Sequence, residues 1–206
     1  MKYFFSVLIF SLVIATGYSQ KLSTRIYDAK NIQELFVSTD EVYEIIIKTS
    51  KTDKITLSSH AEGEYYNDIS LNVEVQKDRM LLTSAFNKAL QGGFDKLSAH
   101  KVFSLGLTLE IPEGIDVIIE SNIASVIASG TFKNLQIQLQ SGYCKLEPFL
   151  GNAVINTYKG GIQVSTSNAN INAKSRNGRV DIPKDLSGNH GIKLTSIDGD
   201  ISVVKN

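Results

Sequence analysis

The chain has 206 residues, 42% of them apolar, and its 21 Lys and Arg are matched by 21 Asp and Glu. A nucleic-acid partner leaves a basic excess on its protein, and this composition carries none. A single cysteine, Cys144, removes any intramolecular disulfide, so an exported form of the chain has to hold together by burial alone.

The chain opens with Met1 and Lys2, an apolar run from Tyr3 to Ala15, and a small or polar stretch with Gly17 and Ser19 before Gln20. This order predicts a secretory signal peptide over 1–19, cut before Gln20. The run is shorter than the roughly 20 apolar residues of a spanning helix, so no transmembrane anchor is expected in the mature chain 20–206. With no cysteine at the cleavage point, no lipoprotein-type lipid anchor is expected either.

From Leu22 to Ile111 the pattern is β-like. Ile45 and Ile47 alternate with Glu44 and Lys48; Ile69, Leu71, Val73 and Val75 alternate with polar residues, then turn at Gln76 to Arg79 into Met80–Thr83, which reads as a hairpin. Leu105, Leu107, Leu109 and Ile111 repeat the alternation up to Pro112. An insertion over 84–101 breaks the rhythm and predicts a protruding loop with one helical turn, serving either as a binding loop or as packing over a groove.

The stretch 115–203 is a short motif repeated five times: SNIASV, SGYCKL, KGGIQV, NGRVDI and DGDISV, with steps of 20, 18, 18 and 21 residues. Two and four residues past each turn lie Ala124 and Val126, Cys144 and Leu146, Ile162 and Val164, Val180 and Ile182, Ile201 and Val203. A second strand before each turn carries Ile115 and Val117, Leu135 and Ile137, Ala153 and Ile155, Ile171 and Ala173, Ile192 and Leu194. Period-two alternation of this kind sends these columns inward. Glycines 142, 160, 161, 178 and 199 mark one corner. Gly130, Gly151 and Gly188 with Asn168 mark the other, and Phe132, Phe149, Leu150 and Leu186 fill a third side.

One such segment cannot bury its apolar face alone, so the segments must stack. The expected fold is all-β: a single-stranded β-solenoid or β-helix with parallel stacked rungs of about 18–21 residues in chain order, one domain over 20–206. Residues 20–114 supply irregular N-terminal rungs and a cap, and 115–203 the five regular rungs. Cys144 then belongs to a buried column and is a small apolar side chain, not a reactive thiol.

Chemistry is hard to find. His60, His100 and His190 are scattered and form no metal-ligand spacing, Gly160–Gly161 lacks the rest of a phosphate loop, and no cofactor is expected. Asp181, Asp185, Asp198 and Asp200 cluster as a glycosidase pair would, yet turn and solvent-face positions account for them. What remains is an outward ladder, Ser125, Lys145, Gln163, Asp181 and Ser202, with a second of Gln138, Asn156, Lys174 and Thr195. Such ladders can grip an extended glycan or a protein strand, and Tyr143 and Tyr158 near the corners suit sugar stacking.

The succession of exported start, extended strands, LTLEIPEGIDVIIES at 107–121 and the Gly-cornered segments SGYCKL, KGGIQV, NGRVDI and DGDISV resembles the bacterial adhesin-type β-solenoid domains, including the head-GIN type of Bacteroidetes envelope proteins. That resemblance implies exposure at the cell envelope and an adhesive role, and brings no catalytic or binding residues. The leading expectation is a non-enzymatic, adhesin-like protein, in the periplasm, at the outer-membrane surface or outside the cell, that binds a surface glycan or protein. A periplasmic structural or regulatory module that meets a partner through its open edge or the 84–101 insertion is the alternative, with a carbohydrate-active enzyme behind it.

Overall fold

A computed structural model describes residues 21–62, 69–86 and 104–206. The expected signal peptide and positions 87–101 of the insertion lie outside the described residues. Those residues contain no helix; they form β1 (Lys21–Asp28), β2 (Glu34–Ser38), β3 (Glu44–Ser50), β4 (Lys54–Glu62), β5 (Ile69–Gln76), β6 (Arg79–Phe86), β7 (Ser104–Pro112) and β8 (Asp116–Ser121). The long strands β9 (Ser125–Ser141) and β10 (Cys144–Lys159) follow, then β11 (Ile162–Thr166), β12 (Ala169–Ser175), β13 (Val180–Asp181), β14 (His190–Asp198) and β15 (Ile201–Lys205).

All fifteen belong to one sheet. The first halves of β9 and β10 pair in one column and their second halves in another, with the breaks near Gly130 and Gly151. The first column runs β1-β4-β7-β3-β9-β10-β11-β15-β13. The second runs β5-β6-β2-β8-β9-β10-β14-β12.

The sheet is mixed, which departs from a wholly parallel stack: β1 with β4, β4 with β7 and β5 with β6 are antiparallel. All three antiparallel pairs sit at the N-terminal end. The expected hairpin is β5–β6, turned at Lys77 with φ 58°; so tight a connection can only join antiparallel strands. From β8 onward every pair is parallel.

Two expected registers are corrected. Cys144 pairs with Val126, not with Ala124. The whole first segment is displaced by two residues, since Val117 lies beside Leu135 and Ile119 beside Ile137; the step from Ser121 to Val126 then equals that from Leu139 to Cys144, and the buried Ser121 hydroxyl holds the turn by accepting the N–H groups of Ile123 and Ala124. A two-residue shift leaves every side chain on its face, and Ala124, Val126 and Ala128 are all fully buried.

The second correction is the stacking order. The last segment, β14–β15, lies between β10–β11 and β12–β13: Ile192 faces both Ala153 and Ile171, and Ile201 faces both Ile162 and Val180. Glycines follow the same order. A Cβ on Gly178 would lie 2.1 Å from the Gly199 carbonyl oxygen, and one on Gly199 would lie 2.1 Å from that of Gly160. Burial explains the choice: Ile192, Leu194, Ile201 and Val203 fill an interior layer on both sides, whereas Ile171 and Ala173 stay half-buried and Val180 exposed at the open end.

One continuous apolar cluster runs from Ala29 to Val203. Phe132 and Phe149 stack at 5.5 Å between ring centroids on its third side. At the glycine corner the Gly160 carbonyl accepts hydrogen bonds from Thr157 Oγ1 at 2.8 Å and Ser196 Oγ at 3.2 Å, so the buried hydroxyls here are satisfied.

Candidate functional site

The outer face of the first column is built by the alternation that builds the core. Because Cys144, Leu146, Ile162, Val164, Ile201 and Val203 point inward, Lys145, Gln163 and Ser202 must point outward. The pairing places Lys145 beside Gln163, Gln163 beside Ser202, and Ser202 beside Asp181. Four of the five expected ladder residues thus form one row, in the order Lys145, Gln163, Ser202, Asp181.

Ser125 does not join that row. It pairs with Glu44, and its hydroxyl accepts the Tyr143 N–H at 3.3 Å, while Ile127 takes the place beside Lys145. The row continues through Ile127 to Ile46, Thr108, Ser58 and Thr24. Ile46 and Ile127 therefore divide the row, with Lys145, Gln163, Ser202 and Asp181 on one side and Thr108, Ser58 and Thr24 on the other.

Two shallow depressions lie on this face and share Gln163 and Ser202. One, of about 360 Å³, reaches the corner at Tyr143 and Asp200. The other, of about 280 Å³, reaches Glu147, Ser165 and Val204. Together they make a continuous groove along β10, β11 and β15. Tyr143 is 45% exposed at one end and Val204 54% exposed at the other. Glu147, Ser165 and Val204 were not among the expected site residues, although the alternation that selects Lys145 also selects the positions two residues further along each strand; Asp200 was weighed only as one of a cluster of carboxylates.

Electrostatically the groove is close to balanced. Lys145 Nζ lies 2.6 Å from Glu147 Oε2, and that hydrogen bond, helped by the carboxylate charge, holds the ammonium pKa above its ordinary value. Asp200 is engaged at the corner, accepting the Arg179 N–H at 2.7 Å.

The other aspartates are placed in the same way. Asp198 accepts a hydrogen bond from Asn177 Nδ2 at 2.5 Å, and Asp185 pairs with Lys205 at 2.8 Å, which holds its carboxyl below the usual range. They pin corners and connections. Among the described residues no group of three His, Cys, Asp or Glu could hold a metal. Cys144 is fully buried and its thiol pKa is pushed up by desolvation.

The second ladder also forms, as Gln138, Asn156, Thr195 and Lys174, with the last two exchanged by the stacking order. Beside it Asn134 donates to Asp116 and Asn152 donates to the Lys133 carbonyl and to Asn134, a run held by its own hydrogen bonds. Tyr158 is exposed on this second face. A larger depression, about 690 Å³, lies at the open end against β12, with Ile171, Ala173 and Ile182 in its wall. It lies along the edge of β12 that has no strand partner among the described residues, and the smaller groove carries the aromatic and hydrogen-bonding groups.

No protein-family model and no curated protein matches the chain. Among solved structures it is similar to a "putative cell adhesion protein" from Clostridium sporogenes, with 14% identity, 91% of this chain and 100% of that one covered, and a TM-score of 0.62. A "putative adhesin" from Bacteroides fragilis matches with 14% identity over 89% of this chain and 97% of its own, at a TM-score of 0.40. A "putative lipid binding protein" from Parabacteroides distasonis matches with 12% identity over 92% and 98%, at 0.29. The first likeness establishes a common fold.

Proposed function

We propose that this chain is an exported, non-enzymatic, adhesin-like β-solenoid of the head-GIN type, a single domain over 20–206 released from a signal peptide at 1–19. It binds a surface glycan or protein at the cell envelope. The observation that carries this reading is the groove across Lys145, Gln163 and Ser202 with Tyr143 exposed at its end: hydrogen-bonding groups in register on a rigid sheet beside an aromatic face. The shared fold with a protein named for cell adhesion is consistent with it. The aspartates support the non-enzymatic part, since those with partners serve corners and connections. No helix among the described residues is long and apolar enough to cross a membrane.

The test is retention of purified 20–206 on immobilised envelope polysaccharides and envelope protein fractions. Saturable retention that drops in the Lys145→Ala/Gln163→Ala variant, with an unchanged melting temperature, supports the reading. Equal retention of that variant sinks the assignment of this face.

A second reading rests on the open end. There, among the described residues, β12 and β13 each have one unpaired edge, and Val180 is 41% exposed. Such an edge accepts an added strand from a partner protein. Co-purification of one envelope protein that is lost on Val180→Lys, with the Lys145/Gln163 variant unaffected, would favour it.

A further inference from the structure

We infer that the ligand of the groove is an uncharged, extended polysaccharide lying along the strands; this rests on the proposal that the Lys145–Gln163–Ser202 face binds a glycan.

Charge is the first ground. Lys145 is the cation within the groove and it is already paired with Glu147 at 2.6 Å. The groups around it are Glu147, Asp200 and, along the row, Asp181, with Arg179 at the corner beside Asp200. A uronate or sulfated chain would meet three carboxylates and find no unpaired lysine, and like-charge juxtaposition of this kind is a strong discriminator. A cationic ligand would gain little, since two of the carboxylates have partners.

The remaining groups fit hydroxyls. Among the described residues the Gln163 amide and the Ser202 hydroxyl carry no side-chain hydrogen bond. Each can both donate and accept, which is what a neutral sugar's hydroxyls require. Tyr143 offers an exposed ring on which the C–H face of an equatorially substituted pyranose can lie.

Direction follows from the register. Tyr143 and Asp200 stand at one end of the groove, and Glu147 and Val204, each four residues further along its own strand, stand at the other, so a bound chain lies along the strands over about 13 Å at about 3.3 Å per residue. Tyr143 and Val204 are both exposed, so the groove takes an internal stretch of a chain and needs no chain end.

Purified 20–206 should be titrated with cello-, xylo-, manno- and chitin-oligosaccharides and with oligogalacturonate, at low and at high salt. Binding of at least one neutral series is expected, with an affinity indifferent to salt. Tyr143→Ala should weaken it about tenfold, while Tyr143→Phe, which keeps the stacking ring, should retain it. Salt-sensitive preference for oligogalacturonate overturns this inference and leaves glycan binding standing. Neutral binding untouched by Tyr143→Ala overturns the placement in this groove. Binding to no glycan of either kind overturns both this inference and the glycan reading beneath it.

Discussion

The Cys144 side chain is fully buried in the column between Val126 and Ile162 and its thiol is desolvated. In the native state it should resist maleimide and react only when the chain unfolds. The same burial links stability to pH. The unfolded thiol ionises near 9.0 while the folded one keeps its proton, so the folded chain binds more protons in alkali and stability falls as pH rises past that value, by at most about 1.4 kcal/mol per unit from this group. Denaturant midpoints from pH about 8 to about 10 should therefore decline more steeply for the native chain than for Cys144→Ala; parallel declines would contradict the burial. Gly160 makes a second case. It has φ +144° and a Cβ there would lie 1.9 Å from the Gly142 carbonyl oxygen, whereas Gly114, at φ +90°, has nothing within 4 Å of that position. Gly160→Ala should cost at least about 2 kcal/mol, because backbone must move. Gly114→Ala should cost only the left-handed conformation, about 1 kcal/mol. Equal costs in urea melts would mean that the glycine column is not closely stacked.

The last segment fills a layer that chain order would leave to β12–β13. Among the described residues β12 pairs with β14 alone and β13 with β15 alone, so a chain ending at Asn189 leaves Ala169–Asp181 without a strand partner there and strips Asp200, Ser202 and Val204 from the groove. Such a truncation should become trypsin-sensitive at Arg176 and Arg179 and lose groove binding, while the earlier strands keep their circular dichroism. Persistent resistance would show that β12–β13 had moved into the vacant layer. That possibility also shows what the sequence makes legible. Inward and outward faces follow from alternation at Ile162–Gln163–Val164 and its counterparts, and glycines 142, 160, 178 and 199 mark the corner, so the ladder row was within reach. The pairing order was not, because all segments share one alternation and a strand accepts any of them as neighbour. Side-chain volume decides, and it acts through the whole stack: Leu194 is placed inside and Ala173 near the open end. The hydroxyls of Thr157, Ser175 and Ser196, each three residues before a corner glycine and each bonded to a glycine carbonyl, left a spacing signal that apolar counting passes over.

Across the molecule the sheet has unequal ends. β9 and β10 are paired on both sides along both columns, and β11 and β15 on both sides of the first. β12 and β13 close the stack at one end, while at the other β1 and β5 present exposed Leu22, Ile26 and Val75. In a stack where each layer contacts only its neighbours, opening proceeds from the ends, and protection is set by the number of layers that must open first. Amide exchange should therefore be slowest in 126–139 and 144–157, intermediate in 192–203, and fastest in 169–181 and 22–28. The antiparallel pairs modify this at the N-terminal end: β4 is held between β1 and β7, so 55–60 should exchange more slowly than β1 itself. Position in space, not in sequence, sets the order at the other end, so the late segment 192–203 should be better protected than the earlier 169–181. The reverse ranking, measured peptide by peptide by mass spectrometry, would contradict the intercalated order. It would also remove Ser202 from its place beside Gln163, because the stacking that protects β15 is the stacking that assembles the groove.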